Sequence, residues 1–413
     1  MYTVAFPAVA LEGAKAVGKT ATVSQRAGTL FKLDDPAELE LVLADGSRVL
    51  GAEPPVVIDE WQRYSPIWDA IRNAVDAGAP PGTFLLTGSA DPRSAPAHTG
   101  AGRIVTLRMR PLSLIERLGR EPTVSLGELL DGTRATVAGD TDVGLEDYVE
   151  EILRGGFPGL RSYSGQELRI QLDSYLRLIV ERDFPALGQR VRNPDGLRRW
   201  LTAYAAATST TASFETIRDA ATNNQSDKPA RSTVIPYRDA LQRLFVTDPV
   251  RAWRPSRNFL GEVGEAEKHQ LLDPALAARL LRVGASRLLA GGQSGPAIPR
   301  DGTFLGALFE SLVTLSVRVY AIASGIGEGD VRHLRLHRGA REIDLIIERE
   351  DGRVLPIEVK LTAVPEDGDV ANLNWLASQL GDQVVDRLII TTGRYAYRRK
   401  DGVAVVPAAL LGP

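Results

Sequence analysis

Eight residues near the amino terminus, Gly13-Ala14-Lys15-Ala16-Val17-Gly18-Lys19-Thr20, have the types and spacing of a phosphate cradle, G-x-x-x-x-G-K-T. Glycines at its first and sixth places let backbone N–H groups curl around a phosphate with no Cβ in the way. Lys19 brings a point charge to the β/γ-phosphates of a nucleoside triphosphate, and the Thr20 hydroxyl is a ligand for Mg²⁺. Forty residues beyond Lys19, Pro55-Val56-Val57-Ile58-Asp59-Glu60 is an apolar run ending in two acids. Standing alone, the acids would serve as well to cap a helix over 61–77. After a phosphate loop they are the Walker B pattern: Asp59 holds Mg²⁺ through water, and Glu60 orients and deprotonates the attacking water. Thr87 and Ser89, ending the apolar run that starts at Thr83, are placed to sense a γ-phosphate or position that water. Arg103 follows Gly100-Ala101-Gly102, and two readings stand: a finger reaching a neighbouring subunit's γ-phosphate, or a solvated arginine on a glycine turn. ATP and Mg²⁺ are the expected cofactors.

A second constellation lies near the carboxyl end. Arg341-Glu342-Ile343-Asp344 and Ile357-Glu358-Val359-Lys360 flank a turn at Glu350-Asp351-Gly352. A three-residue hairpin with Gly352 left-handed sets Asp344 opposite Glu358 and Glu342 opposite Lys360, all on one face. Two such carboxylates make a site for Mg²⁺ or Mn²⁺, with Lys360 positioning water or stabilising charge. Glu310 is a weaker candidate for the same shell. The alternative is a salt-bridge ladder. The pattern resembles the PD-(D/E)xK nuclease signature.

The elements that position these residues follow from periodicity. Ala8 to Leu11 is a buried strand before the loop, and Ala21-Thr22-Val23 opens a helix after it. Further strands at 29–33, 55–60, 83–89 and 104–107 make a parallel α/β sheet. Residues 120–145, polar and glycine-containing, read as an irregular connection. A helix over 166–180 is expected to stop before Pro185. Helices over 197–207, 214–221 and 231–244, then two short strands within 245–253, make a winged-helix pattern. Arg231 and Arg238 share a helix face that suits either a DNA groove or water, and Pro236 interrupts that helix. Residues 303–323 read as a long amphipathic helix. In a strand His333 and His337 stand about 13 Å apart, too far to share a metal ion.

Composition is that of an ordinary globular protein of two or three domains: 413 residues, 44% hydrophobic and 24% charged. The net charge of −3 confines any nucleic-acid contact to a local patch. The absence of cysteine excludes disulfides and thiol catalysis and suits a cytoplasmic location. No membrane span, leader segment or fixed-period repeat is read.

The chain resembles prokaryotic AAA-type ATP-binding proteins whose C-terminal domain, of unassigned function, ends in a restriction-endonuclease-like fold. The resemblance rests on Gly13 to Thr20, Val57-Ile58-Asp59-Glu60, Leu85-Leu86-Thr87-Gly88-Ser89, Arg110-Pro111-Leu112-Ser113-Leu114-Ile115-Glu116 and Gly155-Gly156-Phe157-Pro158. It also marks Asp183 as an acidic position. Family members carry an arm before the first strand that is nearly absent here, which suggests a late start site or a lost adenine-side wall. The expectation is α/β throughout: an AAA-type ATPase domain at 1–165, a helical and winged-helix middle at 166–300, and a nuclease-like domain at 301–413. ATP hydrolysis, DNA as partner and a homo-oligomer are what the resemblance implies.

Overall fold

The computed structural model describes residues 5–88, 100–132, 136–188, 193–222, 231–254, 266–292, 296, 298, 300, 302–326, 331–336 and 340–413, without the side chains of residues 231–233. Ser89, His337 and the Arg231 side chain therefore lie outside the described residues.

Five strands form the first sheet: β1 (Ala8–Glu12), β2 (Thr29–Lys32), β3 (Val56–Asp59), β4 (Phe84–Gly88) and β5 (Ile104–Arg108). They run parallel in the order β2-β3-β4-β1-β5. A parallel sheet needs cover on both faces, and the pleat supplies two sets of apolar side chains. Ala8, Ala10, Val56, Ile58, Phe84 and Leu86 pack under Ile67, Trp68 and Ile71 of the helix Pro66–Asp76. Val9, Val57 and Leu85 face Val23 of the helix Lys19–Ser24. Both phosphate-site segments leave carboxyl ends of central strands, so the sheet itself brings them together.

The rest of the chain has a large apolar core, from Leu114 to Leu411 with Ala14 and Val17 of the loop, and a second one that joins Trp253, Leu334, Ile346, Leu373 and Val405. Its strands are β6 (Val124–Ser125), β7 (Gly139–Asp140), β8 (Val331–Arg335), β9 (Glu342–Glu348), β10 (Val354–Val359), β11 (Leu388–Thr391), β12 (Tyr395–Arg398), β13 (Ala404–Pro407) and β14 (Leu411–Gly412). Seven form a mixed sheet, β7-β12-β13-β11-β10-β9-β8, while β6 and β14 pair apart from it. The segment 120–145 is therefore not an irregular connection. It holds β6, the helix Leu126–Asp131 and β7, and it is tied to the last strands of the chain.

Three other expectations change. Residues 245–253 are not two strands: Thr247 and Val250 bridge Leu271 and Lys268 as two arms of one antiparallel pair. The helix Gly165–Leu178 does not stop before Pro185 but runs through a π-helical turn, Ile179–Asp183, into Phe184–Ala186. The helix Phe304–Ala323 is not amphipathic. It is buried nearly all round, with Ser311, Thr314 and Ser316 inside, and it touches both the helical middle and β8, β9 and β10. By length and composition it is the one helix among the described residues that could cross a membrane, and its apolar side chains are spent on the protein core instead.

Candidate functional site

The phosphate loop leaves β1 at Glu12 and enters a helix at Lys19. Gly13 has φ +153°, and a Cβ there would come within 2.3 Å of the Met109 carbonyl oxygen. The loop's concave backbone therefore requires glycine at that place. Lys19 is buried, and its Nζ donates to the Gly13 and Ala14 carbonyls at 2.8 Å each. Burial lowers its pKa to about 8, against the opposing pull of the Glu60 and Asp59 charges.

Register places the second half of the site. Asp59 ends β3 beside Thr87 of β4. The Thr20 hydroxyl donates to both Asp59 carboxylate oxygens at 3.0 Å, and the Thr87 hydroxyl also donates to Asp59. A hydroxyl and a carboxylate so placed are hard oxygen donors of the kind Mg²⁺ takes. Glu60 follows with φ 57°, an uncommon conformation for a side-chain-bearing residue, and its N–H donates to Thr87 Oγ1 at 3.4 Å. Gln62 Nε2 donates to the Glu60 carboxylate. Lys19, Thr20, Asp59, Glu60 and Thr87 thus meet at the carboxyl edge of the sheet.

Arg103 is not brought to it. Ile104 pairs with Ala8 and Arg108 with Glu12, so Arg103 stands at the opposite edge, about 16 Å along the strands. It is half exposed and pairs with Asp76 at 2.8 Å.

Residues outside the motifs tie this domain to the remainder. Lys15 Nζ meets Asp183 Oδ1 at 2.6 Å, and the Tyr175 hydroxyl donates to the Lys15 carbonyl at 3.3 Å. Where β5 exits, Arg108 and Arg110 close on Asp248 at 3.1 and 2.8 Å, with Arg318 of the core helix at 2.9 Å. Burial would raise the Asp248 pKa, but the three guanidiniums hold it well below the carboxylate range. The stretches 110–116 and 155–158 meet at a second junction. Leu112 N–H donates to the Gly156 carbonyl at 2.9 Å, and Arg117 Nη2 reaches Asp273 at 2.7 Å. A Cβ on Gly156 would lie 2.6 Å from that guanidinium. Asp248 and Asp273 carried no signal in the sequence.

The carboxyl-terminal constellation has the expected register. The hairpin pairs Val354 with Glu348 through Ile357 with Leu345, which puts Asp344 and Glu358 next in line, and Gly352 is left-handed at φ 78°. Val359 N–H donates to Asp344 Oδ2 at 2.9 Å, and Lys360 pairs with Glu358 at 3.1 Å. Glu310 also arrives at this place. Among these acids, however, stands an ammonium that sequence reading missed. Lys268 Nζ is 2.9 Å from Glu310, 3.1 Å from Asp344 and 3.2 Å from Glu342. Burial would lower the Lys268 pKa, but these acids hold it well above its usual value. Burial raises Glu310 to about 8, and burial with the Asp344 charge raises Glu358. The expectation of Mg²⁺ or Mn²⁺ on Asp344 and Glu358 gains no support from this arrangement. No group of three or more His, Cys, Asp or Glu among the described residues is arranged to hold a metal ion, and the Lys268 ammonium stands against three of these acids. A cavity of about 780 Å³ opens onto them, lined also by Thr210, Arg300 and Lys360.

The expected basic face is likewise altered. Arg238 pairs with Asp239 at 3.3 Å and lies over the Phe214 ring at 5.1 Å. His333 is buried, and its Nε2 bonds the Ala266 carbonyl at 2.9 Å.

Three family matches divide the sequence: an AAA domain at residues 5–118, a domain of unknown function (DUF8612) at 145–287, and a domain of unknown function (DUF4143) at 305–411. Two uncharacterized proteins, one of Mycobacterium bovis and one of Mycobacterium tuberculosis, are each 27% identical over 97% of this chain and 80% of their own length. Among solved structures, the Walker-type ATPase of Pyrococcus abyssi is similar at 16% identity and a TM-score of 0.38, covering 67% of this chain and 91% of its own. The loop, the Walker B strand and the parallel sheet fit a P-loop ATPase fold over residues 5–118, the stretch that matches the AAA domain.

Proposed function

We propose that the chain hydrolyses ATP with Mg²⁺ and uses the cycle to alter what the middle and carboxyl-terminal regions hold. The observation that carries this is the Thr20–Asp59–Thr87 hydrogen-bond cluster beside Lys19 and Glu60. Backbone N–H groups from Gly13, Ala14, Lys15, Ala16, Val17 and Gly18 cradle the phosphates, and Lys19 turns from its loop carbonyls to the β/γ-oxygens. Thr20 and Asp59 would hold Mg²⁺, which would supply charge neutralisation for the phosphates. Glu60 takes the proton of the attacking water, and Thr87 keeps Asp59 and the Glu60 backbone in place.

The finer reading is that hydrolysis serves DNA handling. It is supported by the three helices at 194–206, 214–220 and 231–243 followed by the antiparallel arms, a winged-helix order. The same reading takes the β9–β10 hairpin and its neighbours as nuclease-like in fold. A second reading, an ATP-switched module whose carboxyl-terminal domain grips DNA or protein without cutting, is favoured by Lys268 among the acids. Phosphate release measured with and without DNA, in Mg²⁺ or EDTA, tests both. Mg²⁺-dependent release, absent in Lys19→Ala, is expected. Release that persists unchanged in Lys19→Ala overturns the ATPase reading. Stimulation by DNA supports DNA handling, and tight binding with negligible turnover supports the switch.

A further inference from the structure

We propose that the Lys268 ammonium is the resident cation of the carboxyl-terminal pocket and takes the place of a divalent metal ion there. Three features of its placement support this. First, its backbone is fixed: Lys268 and Val250 exchange both N–H···O bonds at 2.9 Å, so the side chain enters from a rigid pair of arms. The arms are joined in turn to β8, where Trp253 N–H donates to His333 O at 2.7 Å and His333 N–H to Arg251 O at 3.0 Å. Second, the ammonium is buried and spends its donors on acids from two separate elements, Glu310 of the core helix and Glu342 and Asp344 of β9. A lysine has three N–H donors, and three acids surround this one. Third, the remaining acid stands opposite Asp344 across the hairpin and outside the reach of Lys268. Glu358 is 3% exposed, its Oε2 meets Lys360 at 3.1 Å, and no donor among the described residues reaches its Oε1.

The physical consequence concerns competition. A divalent ion entering between Asp344 and Glu310 takes two of three acids from a buried ammonium, a loss added to the ion's own dehydration. Lysine cannot leave by rotating its side chain into water, because its stem is enclosed and its backbone is paired on the arm. The pocket therefore carries its positive charge as part of the fold. The middle region supplies that charge to acids of the carboxyl-terminal sheet, so the two are electrostatically one unit.

Removing the ammonium without removing the acids should turn the pocket into a metal site. Adjacent carboxylates left without a cation repel, and a hard divalent ion relieves the repulsion. The test is Mn²⁺ titration of the full chain without nucleotide, read by the loss of the free-ion paramagnetic resonance signal. Wild type and Asp344→Asn should take up the same amount of Mn²⁺. Lys268→Ala should take up one more Mn²⁺ than Lys268→Ala/Asp344→Asn, at least about tenfold tighter than any site in wild type. Mn²⁺ should raise the melting temperature of Lys268→Ala more than that of Lys268→Ala/Asp344→Asn, and raise those of wild type and Asp344→Asn equally. Any contribution of the phosphate site is common to all four proteins and cancels. Wild type binding one more Mn²⁺ than Asp344→Asn overturns the proposal, since the metal would then displace the lysine. A folded Lys268→Ala with no site beyond its double variant also overturns it. Should Lys268→Ala fail to fold, the comparison of wild type with Asp344→Asn decides alone.

Discussion

Lys15, in the third place of the phosphate loop, is ion-paired at 2.6 Å with Asp183, which ends a π-helical turn 168 residues later. Single π turns inside helices recur at functional positions, and this one sets a carboxylate against the phosphate loop. The lysine side chain is more than half exposed, so the pair adds little to stability, about 0–1 kcal/mol. Its effect falls on nucleotide instead. Asp183 puts negative charge beside the phosphate seat and holds a lysine away from it. Asp183→Asn should therefore bind ATP several-fold tighter with an unchanged melting temperature, and Lys15→Ala should bind it more weakly. Linkage requires the reverse effect as well: bound ATP loosens the contact with the middle region. Equal ATP affinity in wild type and both variants would remove this route of communication.

The Lys19 pKa of about 8 has a measurable sign. Phosphate binding favours the ammonium, so nucleotide must bring a proton wherever free Lys19 is neutral. ATP affinity should be flat below pH 8 and fall about tenfold per pH unit above it. Calorimetry at pH 8.5 in two buffers of different ionisation enthalpy should show proton uptake on binding. The same depression makes the nucleotide-free protein gain stability as pH rises from about 8 toward the ordinary lysine value, since the unfolded chain then holds the extra proton. Affinity constant from pH 7 to 9.5 would mean that Lys19 is not the titrating group.

The phosphate site was legible because its chemistry is local. Gly13, Gly18, Lys19 and Thr20 act through one turn of backbone, and Asp59 and Thr87 end strands whose apolar runs are short and clear. The β9–β10 register was legible for the same reason, since Gly352 fixes the loop. Lys268 was not, because its partners are 42 and 76 residues away and its neighbours Glu267 and His269 read like any polar surface. Nor were β6 and β7, two residues each, which have no periodicity and pair with strands at the far end of the chain. The core helix reads as amphipathic in the sequence, yet its Ser311, Thr314 and Ser316 are buried. Inside, Ser316 Oγ donates to Leu312 O and accepts from Leu114 N–H, so it is paired rather than wet.

Arg103 tests assembly. Standing at the amino edge of the sheet, it cannot reach its own phosphate loop, and a catalytic role requires a neighbouring copy. As a finger, Arg103→Ala should lower turnover by about 10³-fold or more with little change in ATP affinity. Mixing Arg103→Ala with Glu60→Gln should then restore part of the activity by pairing intact halves. Full turnover from a monomer in light scattering, or full turnover in Arg103→Ala, leaves it a surface partner of Asp76.

The Arg117–Asp273 pair tests the junction between the AAA-type domain and the rest. Both side chains are fully buried, and the acid also accepts from Gly156 N–H at 2.8 Å and Ala275 N–H at 2.9 Å, capping the helix Pro274–Leu280. The arginine spends its other donors on the Leu112 and Glu151 carbonyls at 2.7 and 3.1 Å. Asp273→Ala strands a buried guanidinium and two backbone donors, and should cost about 3–5 kcal/mol of stability. Asp273→Asn keeps an acceptor for the cap and should cost less. Arg117→Met combined with Asp273→Ala should be less damaging than the sum of the single changes, since no unpaired charge remains. Denaturant unfolding of the four proteins measures this coupling. Additive losses would show that the two charges stabilise the junction independently, by their backbone contacts alone.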